Sequence, residues 1–211
     1  MLKILCFGDS NTYGFNPVDG SRYPKNIRWS GVLQELLGES SVVIEAGCNN
    51  RTAFCDNPFG IELTGYKILP KYMKENFDVV ILSLGVNDLQ NQYDVSEIDF
   101  KNGMSRLVKL TKQSCDKVIL IAPANLSENL FKSPVFSTMF DAKSIEKSNN
   151  FIKIYREIAN ENDCVFVDLN EIIEVSEFDG LHHTPEQHKI IANEICNMIC
   201  RYSSAGRATH S

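Results

Sequence analysis

Ser10 lies in Gly8-Asp9-Ser10-Asn11-Thr12, directly after the apolar run Leu2–Phe7. A hydroxyl at a bend beyond a strand is open to a ligand, and its own backbone N–H can face a developing negative charge. Asp, Ser, Asn and Thr are also ordinary turn and cap residues, so this pentapeptide alone does not define a nucleophile. A serine nucleophile needs a base. Of the four histidines, His210 lies in a polar tail, and His188 falls one turn inside a predicted last helix, where a solvent-facing position is expected. His182 and His183 occupy the loop Asp179-Gly180-Leu181-His182-His183-Thr184. Asp179 and His182, three apart in a Gly-containing turn, allow the carboxylate to accept from one ring nitrogen while the other faces outward. Asp179 then fixes the tautomer and stabilises the imidazolium that forms when Ser10 attacks. The competing reading makes Asp179 a turn former and His183 the base.

Two further blocks follow other apolar runs. In Gly85-Val86-Asn87-Asp88, the Asn87 amide can donate to an oxyanion, a contact whose loss typically costs about 2.7–4 kcal/mol of barrier. The alternative is a turn Asn beside a turn Asp. In Gly47-Cys48-Asn49-Asn50-Arg51-Thr52, Gly47 can offer a backbone N–H at close range.

These residues need a frame that brings strand ends together. Five apolar runs recur at Leu2–Phe7, Val42–Ala46, Asp78–Leu84, Lys117–Ala122 and Cys164–Asp168. Several are continuously apolar, as strands buried on both faces of a parallel sheet are. Helical spacing lies between them, at Trp29–Leu37, Glu62–Glu75, Glu97–Gln113 and Ser144–Asn162. A last helix is expected to begin at Thr184, with Pro185 at its first position and Gln187 completing a capping box. The alternation predicts a three-layer α/β/α domain with a five-stranded parallel sheet over residues 1–202. In such a sheet ligands bind beyond the carboxyl ends of the strands, where all four blocks lie or to which they lead. The segment 123–141 breaks the alternation and reads as a lid or binding loop. Tyr13, Phe15, Phe131, Phe136 and Phe140 are the expected pocket walls, with core or subunit-interface packing as the alternative. Residues 203–211 carry no apolar pattern and read as a disordered tail or a cloning remnant.

The net charge of −6 argues against a nucleic-acid partner, which needs a basic patch. No apolar run approaches the roughly 20 residues that span a bilayer, so membrane insertion is not expected. Seven cysteines scattered through apolar segments read as reduced core thiols in the cytosol. Cys196 and Cys200, one helical turn apart, read as buried helix positions rather than metal ligands. No metal or cofactor is expected.

Taken in order, Ser10 within Gly-Asp-Ser, Gly47, Asn87 within Gly-x-Asn-Asp, and Asp179-x-x-His182 resemble the four blocks of the SGNH (GDSL-type) hydrolases. The resemblance spans Gly8 to His182. It implies a flavodoxin-like fold and a metal-free triad of Ser10, His182 and Asp179. It also implies an oxyanion hole of the Ser10 and Gly47 backbone N–H groups with the Asn87 amide. The segments LCFGDSNTYGF, Arg28-Trp29-Ser30-Gly31-Val32-Leu33 and Gly47…Arg51-Thr52 further resemble a small intracellular arylesterase and acyltransferase branch. Members of that branch act on short-chain acyl and aryl esters, some transfer acyl groups to alcohols, and homo-oligomers occur. One departure is that many relatives place a Ser after Gly47, where Cys48 and Asn49 stand here.

The expected activity is hydrolysis of a small-molecule ester, or acyl transfer to an alcohol, through an acyl-enzyme on Ser10. Carbohydrate O-deacetylation and acyl-CoA thioester hydrolysis are the alternatives within the family. A non-catalytic flavodoxin-like ligand-binding module is the alternative from another class. That module predicts a phosphate-cradling loop after the first strand, yet Asp9 would repel a phosphate, and no G-x-G-x-x-G or Walker lysine is present.

Overall fold

The computed structural model describes the backbone of residues 1–208 and the side chains as far as Arg201. Five parallel strands, β1 (Leu2–Gly8), β2 (Ser41–Gly47), β3 (Val79–Ser83), β4 (Val118–Ala122) and β5 (Val165–Asp168), pair in the order β2-β1-β3-β4-β5. This is the flavodoxin-like order, with its switch point between β1 and β3. The helices are α1 (Ser10–Tyr13), α2 (Trp29–Leu37), α3 (Gly65–Tyr72), α4 (Glu97–Lys112), α5 (Phe136–Met139), α6 (Ala142–Glu161) and α7 (Pro185–Ala208).

Side chains alternate across the sheet, and each set finds its own helical layer. Leu5, Phe7, Val80, Leu82 and Leu120 pack with Met104 and Leu107 of α4 and with Ile154 and Ile158 of α6. Ile4, Cys6, Ile81, Ile119 and Ile121 pack with Trp29 and Leu33 of α2 and with Ile191 and Ile195 of α7. Burial on both faces is why the strands read as unbroken apolar runs.

The register sets the site. Gly8 pairs with Gly47 of β2 on one side and Ser83 of β3 on the other. Three strands therefore end level, and the segments that follow them open into one crevice. Later in the chain, beside the site, Thr184 and Gln187 form the expected reciprocal cap. The Thr184 N–H donates to Gln187 Oε1 at 2.7 Å, and the Gln187 N–H donates to Thr184 Oγ1 at 3.4 Å. The cap starts α7 immediately after the histidine loop.

Some expectations need correction. The helix expected over Glu62–Glu75 is shorter, because Thr52 and Thr64 form a parallel bridge that holds Thr64 extended until α3 begins at Gly65. The segment 123–141 is ordered into a 3₁₀ turn at Glu128–Lys132 and the short α5. Helix α7 runs on to Ala208, into the stretch expected to be an unpatterned tail. Extending a nucleated helix is far easier than starting one, so polar residues can continue it. Residues 209–211, including His210, lie outside the described residues. Cys196 is only partly buried and Cys200 is exposed, because α7 turns Ile195 and Ile199 toward the sheet instead.

Candidate active site

Ser10 is the first residue of α1, two residues beyond the end of β1, and Asp9 caps that turn by accepting the Asn11 N–H at 3.0 Å. The Ser10 hydroxyl lies 2.9 Å from His182 Nε2, and His182 Nδ1 lies 2.6 Å from Asp179 Oδ2. The other Asp179 oxygen accepts the N–H groups of Leu181 at 3.1 Å and His182 at 3.0 Å. The loop can close this tightly because Gly180 adopts a φ of 67° and sits against Ser127, where a Cβ would lie 2.8 Å from the Ser127 carbonyl oxygen. The Asn11 side-chain amide donates to the Leu181 carbonyl at 3.3 Å, tying the Ser10 turn to the histidine loop.

Burial pushes the Asp179 carboxyl up, but the His182 ring and the two backbone donors outweigh it and hold the group below its ordinary value. An ionised carboxylate only accepts hydrogen bonds. The proton on His182 therefore sits on Nδ1, and Nε2 is left to accept from the Ser10 hydroxyl. Phe15 and Phe136 pack against the imidazole, with ring centroids 4.3 Å and 5.4 Å away. They hold its plane and keep it dry.

His183 is not placed to act as the base. It is buried, its Nδ1 has no hydrogen-bond partner among the described residues, and its ring packs edge-on against His188 at 5.7 Å. His188, expected at the surface, is fully buried and accepts the Trp29 N–H at 3.3 Å. It faces inward because α2 packs against α7 there.

The Asn87 amide donates to the Arg51 carbonyl at 3.1 Å and lines the same cavity as Ser10. Gly47 does not line it. Its Cα is pressed against the backbone of Thr12 and Tyr13, where an added Cβ would come 2.6 Å from Tyr13 Cα. Gly47 is a close-packing position at the end of an edge strand, and the cavity wall beyond it is formed by Asn49 and Asn50. Asn50 has a φ of 58°, the left-handed conformation that Asn tolerates better than most residues, and its N–H has no acceptor among the described residues. Asp88 anchors this loop by accepting the N–H groups of Ala53 at 2.6 Å, Phe54 at 3.0 Å and Cys55 at 2.9 Å. Arg51, also buried, donates to the carbonyls of Gly8 at 3.0 Å and Ala46 at 2.5 Å. Sequence reading passed over Asn50, Asp88 as an anchor, and Arg51. The one available signal was an Asn-Asn pair where a tight turn was needed.

The cavity above Ser10 has a volume of about 450 Å³. Phe15, Phe136 and Phe140 line it, together with Pro17, Val135, Met139, Phe178 and Leu181. Tyr13 and Phe131 do not. The Tyr13 ring instead stacks under the Arg22 guanidinium at 4.3 Å. Phe131 lies in the 3₁₀ turn, with 45% of its surface exposed.

A serine hydroxyl backed by an imidazole and a buried carboxylate, at the carboxyl end of a doubly covered parallel sheet, defines a serine hydrolase. Residues 6–190 match the model of the GDSL-like lipase/acylhydrolase family. The chain belongs to that family and is a serine ester hydrolase. It is similar in structure to an aryl esterase from M. smegmatis, with 30% identity and a TM-score of 0.88 over 95% of this chain and 99% of that one. It is also similar to a carbohydrate acetylesterase from Sinorhizobium meliloti, with 29% identity and a TM-score of 0.88 over 96% of this chain and 100% of that one. No curated protein sequence matches the chain. No helix among the described residues is long and apolar enough to cross a membrane.

Two predictions follow from these placements. Gly47→Ala keeps the backbone N–H but forces a methyl into α1, so it should lower stability by about 1–3 kcal/mol in urea denaturation. Unchanged stability would contradict the close-packing assignment. The second concerns Asp9, whose carboxyl burial pushes from 3.8 to about 7 against the Asn11 N–H and the Arg51 guanidinium. A folded value above the unfolded one means that Asp9 favours the fold fully at acid pH, and that this contribution is lost as pH rises through about 7. Asp9→Asn mimics the protonated acid and keeps the capping oxygen. Its melting temperature should match wild type near pH 4 and exceed it by several degrees near pH 8; a pH-independent difference contradicts the assignment.

Proposed function

We propose that the protein hydrolyses short-chain acyl esters of phenols and simple alcohols through an acyl-enzyme on Ser10. The observation that carries this reading is the Ser10–His182–Asp179 line, with separations of 2.9 Å and 2.6 Å, opening on an apolar, aromatic-walled cavity. His182 Nε2 takes the Ser10 proton as Oγ attacks the ester carbonyl. The negative charge on the carbonyl oxygen is met by the Asn87 amide and by the unengaged N–H groups of Ser10 and Asn50. His182 then gives its proton to the departing alkoxide or phenoxide. In the second half-reaction it deprotonates the water that cleaves the acyl-enzyme. An alcohol in place of that water would give acyl transfer by the same route.

The cavity walls favour an uncharged substrate with a flat or branched apolar group. Among the described residues no Lys or Arg lines the cavity to answer the phosphates of an acyl-CoA. Acetylated sugars are the second reading. They are supported by Asn49, Asn50 and Ser133 at the cavity wall, which can bind hydroxyls, and by the likeness to a carbohydrate acetylesterase. No disulfide forms among the seven cysteines, which supports a reducing compartment such as the cytosol.

Turnover of p-nitrophenyl acetate should fall by at least about 10⁴-fold in Ser10→Ala and in His182→Ala. It should stay within tenfold, roughly, in His183→Phe, whose side chain faces away from Ser10. Activity retained in Ser10→Ala would overturn the nucleophile assignment. For the substrate, kcat/KM for phenyl acetate should exceed that for an acetylated xylo-oligosaccharide; the reverse order would favour the sugar reading.

A further inference from the structure

Gln90 follows the Asn87-Asp88 turn and is 1% exposed, although it touches neither the nucleophile nor the base. Its side-chain nitrogen donates two hydrogen bonds, to Asn87 Oδ1 at 3.1 Å and to Asn50 Oδ1 at 2.8 Å. Its side-chain oxygen accepts from Gln92 Nε2 at 2.8 Å. Gln90 is thus a buried side chain that contacts both Asn87 and Asn50, the residues proposed to flank the oxyanion.

We infer that Gln90 is a positioning residue that sets the polarity of the oxyanion pocket; this rests on the proposed role of Asn87 and Asn50. A primary amide is nearly symmetric in shape but opposite in polarity at its two ends. Turned over, Asn87 would aim its carbonyl oxygen at a developing negative charge and repel it. The Gln90 nitrogen prevents this by engaging Asn87 Oδ1, so that Asn87 Nδ2 faces the other way. One Nδ2 hydrogen goes to the Arg51 carbonyl at 3.1 Å, and the second is left for the cavity that Asn87 lines. The Arg51 carbonyl, which can only accept, fixes the sense of the chain, and Gln92 completes it by donating to the Gln90 oxygen. The second Gln90 hydrogen holds the Asn50 side chain, whose backbone stays at a φ of 58° with its N–H unengaged. One buried amide thereby orients a side-chain donor and steadies a backbone donor.

The test compares Gln90→Met, which keeps volume but donates nothing, with Gln90→Glu, which keeps shape but presents acceptors to two carbonyl oxygens. Each is measured alone and in an Asn87→Ala background, with thermal melts alongside. On p-nitrophenyl acetate, Gln90→Met should lower kcat by about 10- to 100-fold with KM changed less than about threefold. Gln90→Glu should lower kcat at least as far. In the Asn87→Ala background Gln90→Met should cost much less, because the group it orients is gone. Equal losses in both backgrounds, or losses that track melting temperature across the two variants, would make Gln90 a packing residue and overturn the inference. If Asn87→Ala itself keeps full activity, the oxyanion assignment fails first. If Asn87→Ala is crippled while Gln90→Met is silent, only the role of Gln90 fails.

Discussion

The parallel pairing of Gly8 with Gly47 on one side and Ser83 on the other makes three strands end at one level. Three groups of the site hang from that line. Ser10 is two residues past the first strand end, Asn50 three past the second and Asn87 four past the third. A slip of one residue between β1 and β3 would also turn every inward side chain to the other layer of helices, so the two apolar cores hold the register firmly. The energy that fixes the catalytic geometry is thus largely the burial of residues such as Leu82, Ile81 and Leu120, well below the site. Truncating any one of them costs about 2–5 kcal/mol.

Around that line the protein buries many polar groups and gives most of them partners. Asp88 accepts three backbone N–H groups, Arg51 donates to two strand-end carbonyls, and Gln90 bridges two asparagines. Such networks are rigid when complete and expensive when broken. Asp9 is a different case, because its burial outweighs its donors and moves its carboxyl toward neutral pH. The same low-polarity surroundings that disfavour its charge strengthen the hydrogen bond from His182 to Asp179. Phe15 and Phe136 extend that dry environment up to the cavity.

The fold was legible because a doubly buried parallel sheet leaves continuous apolar runs, and because Thr184, Pro185 and Gln187 announce the start of α7. Ser10, Asp179 and His182 were legible as candidates because few residue types do that chemistry and because Asp179 and His182 stand three apart in one turn. What stayed hidden depends on close approach. Nothing in a sequence says that the Cα of Gly47 will meet the backbone of Tyr13, or that Asn50 will carry the positive φ three residues later. Tyr13 and Phe131 were misplaced for a related reason: nearness along the chain does not fix which way a side chain turns on a short helix. Gln90 could not be found from sequence at all, since an isolated glutamine after a turn is ordinarily solvated.

The most direct test of this account is a crystal structure of the enzyme inactivated by a small aryl phosphonate. The phosphorus should be bonded to Ser10 Oγ. Its phosphoryl oxygen should lie within about 2.7–3.1 Å of Asn87 Nδ2 and of the Ser10 and Asn50 backbone nitrogens, with Gly47 out of reach. An adduct on another residue, or a phosphoryl oxygen turned away from Asn87 toward Gly47, would contradict it.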